Sequence, residues 1–168
     1  MQNINRLKEL FIPDGYNGSL TWKVDCKKYK AGDVVSAEGI KSRYKIIKVD
    51  GVAISLHRVL WLMLEGEIAQ GKLIDHINGN SHDNRISNLR LCSHAENMRN
   101  RKCHSNNQTG LKGVYKEVTR GKVKPWRAQI RTKGKKINLG RFESAEDAHH
   151  AYLKASASLH GAFHRYSE

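Results

Sequence analysis

The sequence predicts an α+β protein built in three successive parts. Short segments rich in β-forming residues alternate with turn residues near the N-terminus, which predicts a small antiparallel β region at 1–54. Residues 55–100 begin with an apolar helix and continue with two extended segments and a second helix. After a basic linker at 101–108, residues 109–168 predict a three-stranded antiparallel sheet packed on one helix.

In the N-terminal β region, turn residues separate segments of high β propensity. The last segment runs into Asp50-Gly51, a pair typical of a hairpin turn. Residues 55–65 then predict a helix buried on most sides, because Leu, Val, Trp and Met dominate it and Gly66 ends it. The expected strands lie at 19–24, 33–36 and 44–49.

The central part continues with two short extended segments, at 72–77 and 89–92, separated by a loop dense in Asn, Gly, Ser and Asp. Ser93 and Glu96 form a capping box, in which each side chain satisfies a backbone N–H of the other residue. A helix therefore begins there, and Asn97 lies in or just beyond its first turn.

The C-terminal strands are expected at 113–118, 126–132 and 136–139, and Ser144 with Asp147 resembles a capping box that opens the last helix. Within 126–131, three apolar residues alternate with Arg127, Gln129 and Arg131. Alternate residues of a strand face opposite sides, so one side of the sheet packs on the helix while the other is polar.

The charge is concentrated toward the C-terminus. The 168 residues include 30 Lys and Arg against 16 Asp and Glu, a net charge of +14. Residues 1–98 carry 14 basic and 11 acidic side chains, a net charge of +3, whereas residues 99–168 carry 16 basic and 5 acidic ones, a net charge of +11. Such an excess predicts a polyanionic partner, with a merely solvated basic surface as the alternative.

Other classes of protein are disfavoured by the sequence. The polar N-terminus and the lack of a run of about 20 apolar residues predict a cytoplasmic protein without membrane association. The three cysteines, Cys26, Cys92 and Cys103, contain no C-x-x-C pair, so we expect reduced thiols. A zinc site from Cys92, His94, Cys103 and His104 matches no common ligand spacing.

One stretch of the central part carries the chemistry. Asp75-His76, then Asn88-Leu89-Arg90, then Asn97 occur in an order and spacing that resemble the HNH endonucleases, over about residues 57–100. That resemblance implies a ββα-metal fold. It further implies that His76 is the general base, that Asn88 orients it, and that Asp75 with Asn97 holds one divalent cation.

These roles also agree with the chemistry of the side chains. A histidine pKa of about 6.5 suits a base that takes a proton from water at neutral pH. Asp75 and Asn97 offer oxygen donors, which suit Mg²⁺, or Mn²⁺, better than Zn²⁺. Two histidines stay open: His94 is a further ligand, a phosphate contact or the first helical residue, and His57 either reaches the site or only begins a buried helix.

The C-terminal part resembles the AP2 (ethylene-response-factor type) DNA-binding domain over about residues 109–164, most clearly in its L-G-x-F-x-S-A-E-D-A segment. The resemblance implies a sheet laid in the DNA major groove, although Tyr115 stands where plant members usually have Arg. Trp126 and Phe142 are expected in the core rather than stacked on bases. The expected DNA contacts are Arg99, Arg101, Lys102, Lys112, Lys116, Arg127, Gln129, Arg131, Lys133, Lys135, Lys136, Asn138 and Arg141.

Together these features predict a metal-dependent DNA endonuclease of the homing type, carried by a phage or mobile element and acting on double-stranded DNA inside a bacterial host. No obligate protein partner is evident from the sequence. Two other interpretations remain open. One is a non-catalytic, sequence-specific DNA-binding regulator on a nuclease scaffold, and the other is a nuclease or binding protein for structured RNA.

Overall fold

The computed structural model of the chain describes residues 4–35, 43–100, 107, 109–117 and 123–163. The chain divides into two compact units, residues 1–94 and 95–168. No helix among the described residues combines the length and the apolar character needed to cross a membrane. The mixed α+β class predicted from the sequence is confirmed.

The first unit begins with two elements that the sequence analysis does not predict. Helix α1 (Ile4–Leu10) leads into strand β1 (Phe11–Asp14), which pairs antiparallel with β2 (Ser19–Trp22). Helix α1 is only seven residues long and buries a single side chain, so it shows no clear periodicity. Pro13 in β1 cannot donate a backbone hydrogen bond, which weakens the strand pattern.

The strand expected at 33–36 is not a strand over its described part. It contributes one isolated bridge, between Thr21 and Val34, and residue 36 lies outside the described residues. Gly32, at φ +94°, turns the chain just before this point. Backbone hydrogen bonds still hold this segment along the edge of β2, because the Trp22 N–H donates to the Asp33 oxygen and the Val35 N–H donates to the Leu20 oxygen.

A hairpin and a helix complete the packing of this unit. Strands β3 (Ile46–Val49) and β4 (Val52–Ser55) pair around Asp50 and Gly51, whose φ values of +47° and +80° fit the predicted tight turn. Helix α2 (Leu56–Leu64) follows directly and confirms the predicted helix. The buried core joins α1, both hairpins and α2 through Leu7, Phe11, Leu20, Ile47, Val49, Ile54, Leu56, Val59 and Leu60.

A third hairpin in the first unit carries the candidate catalytic residues. Strands β5 (Leu73–His76) and β6 (Leu89–Cys92) pair antiparallel where extended segments are predicted. The connection between them ends in a single 3-10 turn at Ile86–Asn88. Helix α3 (His94–Asn100) begins directly after Ser93, as the capping box predicts.

The second unit contains the sheet predicted for the C-terminal part. Strands β7 (Val114–Lys116), β8 (Trp126–Thr132) and β9 (Lys135–Phe142) are antiparallel in the order β7-β8-β9. Helix α4 (Ala145–His160) packs on β8 and β9, and Ser144 accepts a hydrogen bond from the Asp147 N–H as predicted. Trp126 and Phe142 pack against the core, which confirms their predicted placement.

Strand β9 is longer than the predicted 136–139 because a bulge extends it. Ala128 pairs with Gly140, but the next residue of β8, Gln129, pairs with Asn138, so Leu139 is the extra residue. Gly140 has a φ of +120°, which a side chain would disfavour. The bulge lets Leu139 join the core while its neighbours continue the ladder.

Candidate catalytic site and nucleic-acid interface

The predicted base and its acidic neighbour are the last two residues of β5. Asp75 and His76 are 6% and 5% exposed, which is unusual for polar side chains. Asp75 lies opposite Arg90 on β6, and His76 lies opposite Leu89. Successive side chains of a strand point to opposite faces, so the hairpin presents the carboxylate and the imidazole on different sides.

The burial of Asp75 is compensated by a guanidinium. Arg90 donates from Nε and Nη2 to the same carboxylate oxygen, Oδ2, at 3.0 and 2.8 Å. Both partners are largely buried, with side-chain exposures of 15% for Arg90 and 7% for Asp75. A buried carboxylate needs such a charged partner, so Arg90 is a structural requirement for placing Asp75 here.

His76 is held by a residue that is absent from the predicted site. Its Nε2 lies 3.0 Å from the side-chain oxygen of Asn84, and both groups are buried. An amide oxygen only accepts hydrogen bonds, so in this arrangement the ring hydrogen is on Nε2. In a neutral ring with its hydrogen on Nε2, the lone pair that a general base uses is on Nδ1.

Two further rings pack around His76. The rings of Tyr44 and His57 have their centroids 6.2 and 5.1 Å from that of His76, with His57 edge-on. His57 is therefore both a buried residue at the start of α2 and a neighbour of the candidate base. Burial, followed by repulsion from His76 and Arg58, lowers the pKa of His57 from 6.5 to about 4.

Asn88 fixes the loop that follows His76. Its Nδ2 donates to the side-chain oxygen of Asn78 at 3.0 Å and to the backbone oxygen of Asp83 at 2.8 Å. Its Oδ1 accepts from the Asn78 N–H, and its backbone oxygen accepts from the Ile77 N–H. These contacts place Asn88 at the centre of the β5–β6 connection, and a direct role in orienting His76 stays a prediction.

Asp83 adds a second anchor to this loop. Arg85 donates to both of its carboxylate oxygens, at 2.8 and 2.7 Å, and Asn78 donates to one of them. The hydrogen bonds from Arg85 are the main reason why the pKa of Asp83 falls to about 2. Asp83 is therefore ionised at neutral pH and belongs to the loop's internal network.

The other predicted metal ligand, Asn97, is half-buried and lies in the middle of α3. This residue belongs to the second unit. His94 is the exposed first residue of α3. No cluster of three or more His, Cys, Asp or Glu side chains able to hold a metal ion occurs among the described residues. Asp75 does provide the oxygen donor that a hard divalent cation prefers, so its chemistry fits the predicted ion.

The alternative zinc site falls partly outside the described residues. Cys103 and His104 lie outside them, and Cys92 is buried.

The polar side of the second unit's sheet gathers six of the predicted DNA contacts. Strand pairing places Arg127 opposite Arg141, Gln129 opposite Asn138, and Arg131 opposite Lys136. Residues directly opposite in a sheet share a face, so these three rows form one polar surface. Tyr115 extends the first row onto β7, because it pairs with Arg127.

The remaining predicted contacts lie elsewhere. Lys116 pairs with Trp126 on the opposite side of the sheet, with its Nζ 5.3 Å from the indole ring centroid. Lys133 is in the β8–β9 turn and Lys135 begins β9. Lys112 donates from Nζ to the backbone oxygen of Arg99 at 2.5 Å. Arg101 and Lys102 lie outside the described residues.

Sequence reasoning misses Glu117, the acidic residue beside the polar surface. It accepts from Arg127 Nη1 at 3.1 Å and from Arg141 Nη2 at 2.6 Å. One carboxylate thus holds together two arginines that face each other across β8 and β9. The only signal in the sequence was its position two residues after Tyr115, since alternate residues share a face.

Comparison with known proteins identifies a family for the region that contains the candidate catalytic residues Asp75 and His76. The HNH endonuclease family model matches residues 55–99, which include α2, the β5–β6 hairpin and most of α3. Protein 3.8 of Escherichia phage T7 is 34% identical over 110 residues, a stretch that covers 66% of this chain and 88% of that protein. A solved structure titled DNA binding and cleavage by the HNH homing endonuclease I-HmuI matches at a TM-score of 0.45 with 20% identity, over 59% of this chain and 55% of that one. The chain thus spans about half the length of that enzyme.

Proposed function

Because the chain belongs to the same family as Protein 3.8 of Escherichia phage T7 and carries an HNH endonuclease domain, we propose that it is a metal-dependent endonuclease that hydrolyses phosphodiester bonds of double-stranded DNA. The observation that carries the proposal is the buried Asp75–His76 pair at the end of β5, inside the region matched by the HNH family model. Burial of two adjacent polar groups costs stability, which favours a catalytic use for them.

His76 is the proposed general base. With its hydrogen on Nε2, toward Asn84, its Nδ1 accepts a proton from the attacking water. The neutral, buried His57 beside it adds no competing positive charge at neutral pH. Asn88 supports the same step by fixing the loop that leaves His76.

Asp75 and Asn97 are the proposed ligands of one divalent cation, Mg²⁺ or Mn²⁺. When bound, such an ion supplies positive charge to the phosphate and to the departing oxygen. Arg90 holds the Asp75 carboxylate through Oδ2 and so keeps this ligand in place within the hairpin. For Asn97, the support is the sequence resemblance.

The polar surface of the second unit is the proposed grip on DNA. Arg127, Arg131 and Arg141 can form bidentate contacts with guanine or phosphate, and Lys136 adds a phosphate contact. A strongly basic segment that presents cations on one sheet face suits a polyanionic duplex. The AP2-like identity of this unit and a homing-type, site-directed role remain part of the proposal, and sequencing the ends of cleaved random-library DNA tests the site-directed role.

The central experiment compares nicking of supercoiled plasmid by the wild type, His76→Ala and His82→Ala in Mg²⁺, with EDTA added as a second condition. His82 is an exposed histidine of the same loop and serves as the matched control. We expect His76→Ala to cut at least about 100-fold more slowly, the lower range for loss of a general base. His82→Ala should cut like the wild type, and EDTA should stop cutting.

Three results would contradict the proposal. Cutting by His76→Ala at the wild-type rate would remove His76 from the mechanism. A wild-type protein that binds duplex DNA but cuts it with neither Mg²⁺ nor Mn²⁺ would be a DNA-binding regulator instead. Preferential binding of structured RNA in a competition experiment at fixed salt would change the substrate class.

A further inference from the structure

Asn84 is the most buried polar side chain of the β5–β6 connection, only 2% exposed, although it belongs to no helix or strand. Its side-chain oxygen meets His76 Nε2, while its amide nitrogen is buried without a hydrogen-bond partner among the described residues. An incompletely satisfied amide in a loop costs stability. Its position is therefore better explained by the hydrogen bond between its side-chain oxygen and His76 Nε2.

The backbone that carries Asn84 rests on the turn between β1 and β2. The Ile86 N–H donates to the Gly15 backbone oxygen at 2.8 Å. Gly18 is buried, and a Cβ added to it would lie 2.4 Å from the Arg85 nitrogen and 2.5 Å from the Asn84 carbonyl carbon. The absence of a side chain at Gly18 is what lets the two backbones approach this closely.

The turn itself is ordered from within. Asp14 accepts hydrogen bonds from the Asn17 N–H at 3.0 Å and from Asn17 Nδ2 at 2.7 Å. Strands β1 and β2 fix its two ends to the core through Phe11 and Leu20. A turn that is held by its own hydrogen bonds and by two core-packed strands therefore lies against the segment that reaches the candidate base.

We propose that Asn84 is a positioning residue for His76, and that the β1–β2 turn, through Gly15 and Gly18, fixes the backbone from which Asn84 reaches the imidazole. The inference rests on the proposed function of His76 as a base. Tyr44 and His57 restrain the plane of the imidazole, whereas the hydrogen bond to Asn84 determines which ring nitrogen carries the hydrogen. Partners of this kind set the tautomer and orientation of functional histidines.

The first test replaces Asn84 with Leu, which has a similar size and no acceptor, and with Asp, which keeps an acceptor oxygen. Replacing the unpartnered amide nitrogen by oxygen removes no hydrogen bond among the described residues. We expect Asn84→Leu to lower kcat by about 10–100-fold with KM for DNA unchanged, the usual range for loss of such a partner. Asn84→Asp should recover a substantial part of kcat.

A second readout does not depend on cutting. Nitrogen NMR of labelled histidine reports the tautomer of neutral His76 directly. We expect the wild type to hold the hydrogen on Nε2 and Asn84→Leu to lose that preference. The inference is wrong if the tautomer is unchanged in Asn84→Leu, or if this variant cuts with the wild-type kcat. Failure of the wild type to cut at all would overturn the proposed function, whereas the tautomer would still test the role of Asn84.

The turn is tested by Gly18→Ala against Gly51→Ala. Both glycines have positive φ, +67° and +80°, but a Cβ at Gly51 would meet nothing within 4 Å. The two variants therefore share backbone strain, and only Gly18→Ala also pushes on Asn84 and Arg85. We expect a lower kcat and a weakened Nε2 preference in Gly18→Ala only. Equal losses in both variants would show that strain alone is responsible and would contradict the role of the turn.

Discussion

The two units use ion pairs in opposite surroundings. In the first unit Arg90 and Asp75 are both largely buried, and neither can turn to water when its partner is lost. In the second unit Glu117 holds Arg127 and Arg141 at a surface where the arginines are 37% and 39% exposed. The buried pair fixes one carboxylate in place, whereas the surface group keeps cations near water and available to a polyanion. A catalytic arrangement needs the first property and a DNA-binding surface needs the second.

The largest loss of stability is expected from breaking the buried ion pair between Arg90 and Asp75. Arg90→Ala leaves the Asp75 carboxylate buried without the guanidinium, and loss of one partner of such a pair typically costs about 3–5 kcal/mol of unfolding free energy. Urea denaturation measures this change. Arg6→Ala is the control, because its ion pair with Asp50 is exposed, and its unfolding midpoint should hardly move. Similar midpoints for the two variants would mean that burial does not distinguish these pairs.

The buried imidazole of His57 should make the first unit sensitive to acid. Its pKa is about 4 in the folded protein and 6.5 ordinarily, so between these pH values the unfolded chain binds a proton that the folded chain does not. The contribution of His57 to the free energy of unfolding is therefore fully present above pH 6.5 and is lost as the pH falls toward 4. This loss is about 3 kcal/mol at most.

His57→Phe tests this expectation because it keeps a ring beside Tyr44 and His76. The variant should lose the decline in denaturation midpoint between pH 6.5 and 4. Asp83, with its pKa of about 2, destabilises the fold only at lower pH and so does not confuse the measurement. An unchanged decline in His57→Phe would assign the acid sensitivity to another group.

Residues placed by a local sequence pattern could be predicted, whereas contacts made through tertiary packing could not. Asp75 and His76 are adjacent in a short strand, so a local motif and the period of a strand are sufficient to place them. Asn84 and Gly18 meet only because the N-terminal turn packs on the β5–β6 connection, and such a contact leaves no periodic signal. Glu117 meets Arg141 only through the strand register, which the bulge at Ala128 and Gln129 shifts.

On the second unit's sheet, the two sides provide a test of the DNA-binding surface. Arg131→Gln with Lys136→Gln removes two opposed cations from the polar surface, and Lys116→Gln removes one from the other side as a control. We expect the double variant to bind duplex DNA more weakly and its salt dependence to fall by about 0.9 in log–log slope per lost phosphate contact. Cutting at saturating DNA should be unchanged. Equal weakening by Lys116→Gln would show that the polar surface has no special role.

The smallest expected effect concerns Glu117, and it separates affinity from stability. Glu117→Gln frees Arg127 and Arg141 from their carboxylate, so DNA binding at low salt should tighten and its salt dependence should steepen. The same change loses two half-exposed ion pairs and should lower the unfolding free energy by only about 1 kcal/mol. Glu143→Gln makes the same charge change at an exposed position of this unit and is the matched control for fluorescence anisotropy. Weaker binding by Glu117→Gln, with the control unchanged, would mean that Glu117 holds the two arginines in the geometry that DNA requires.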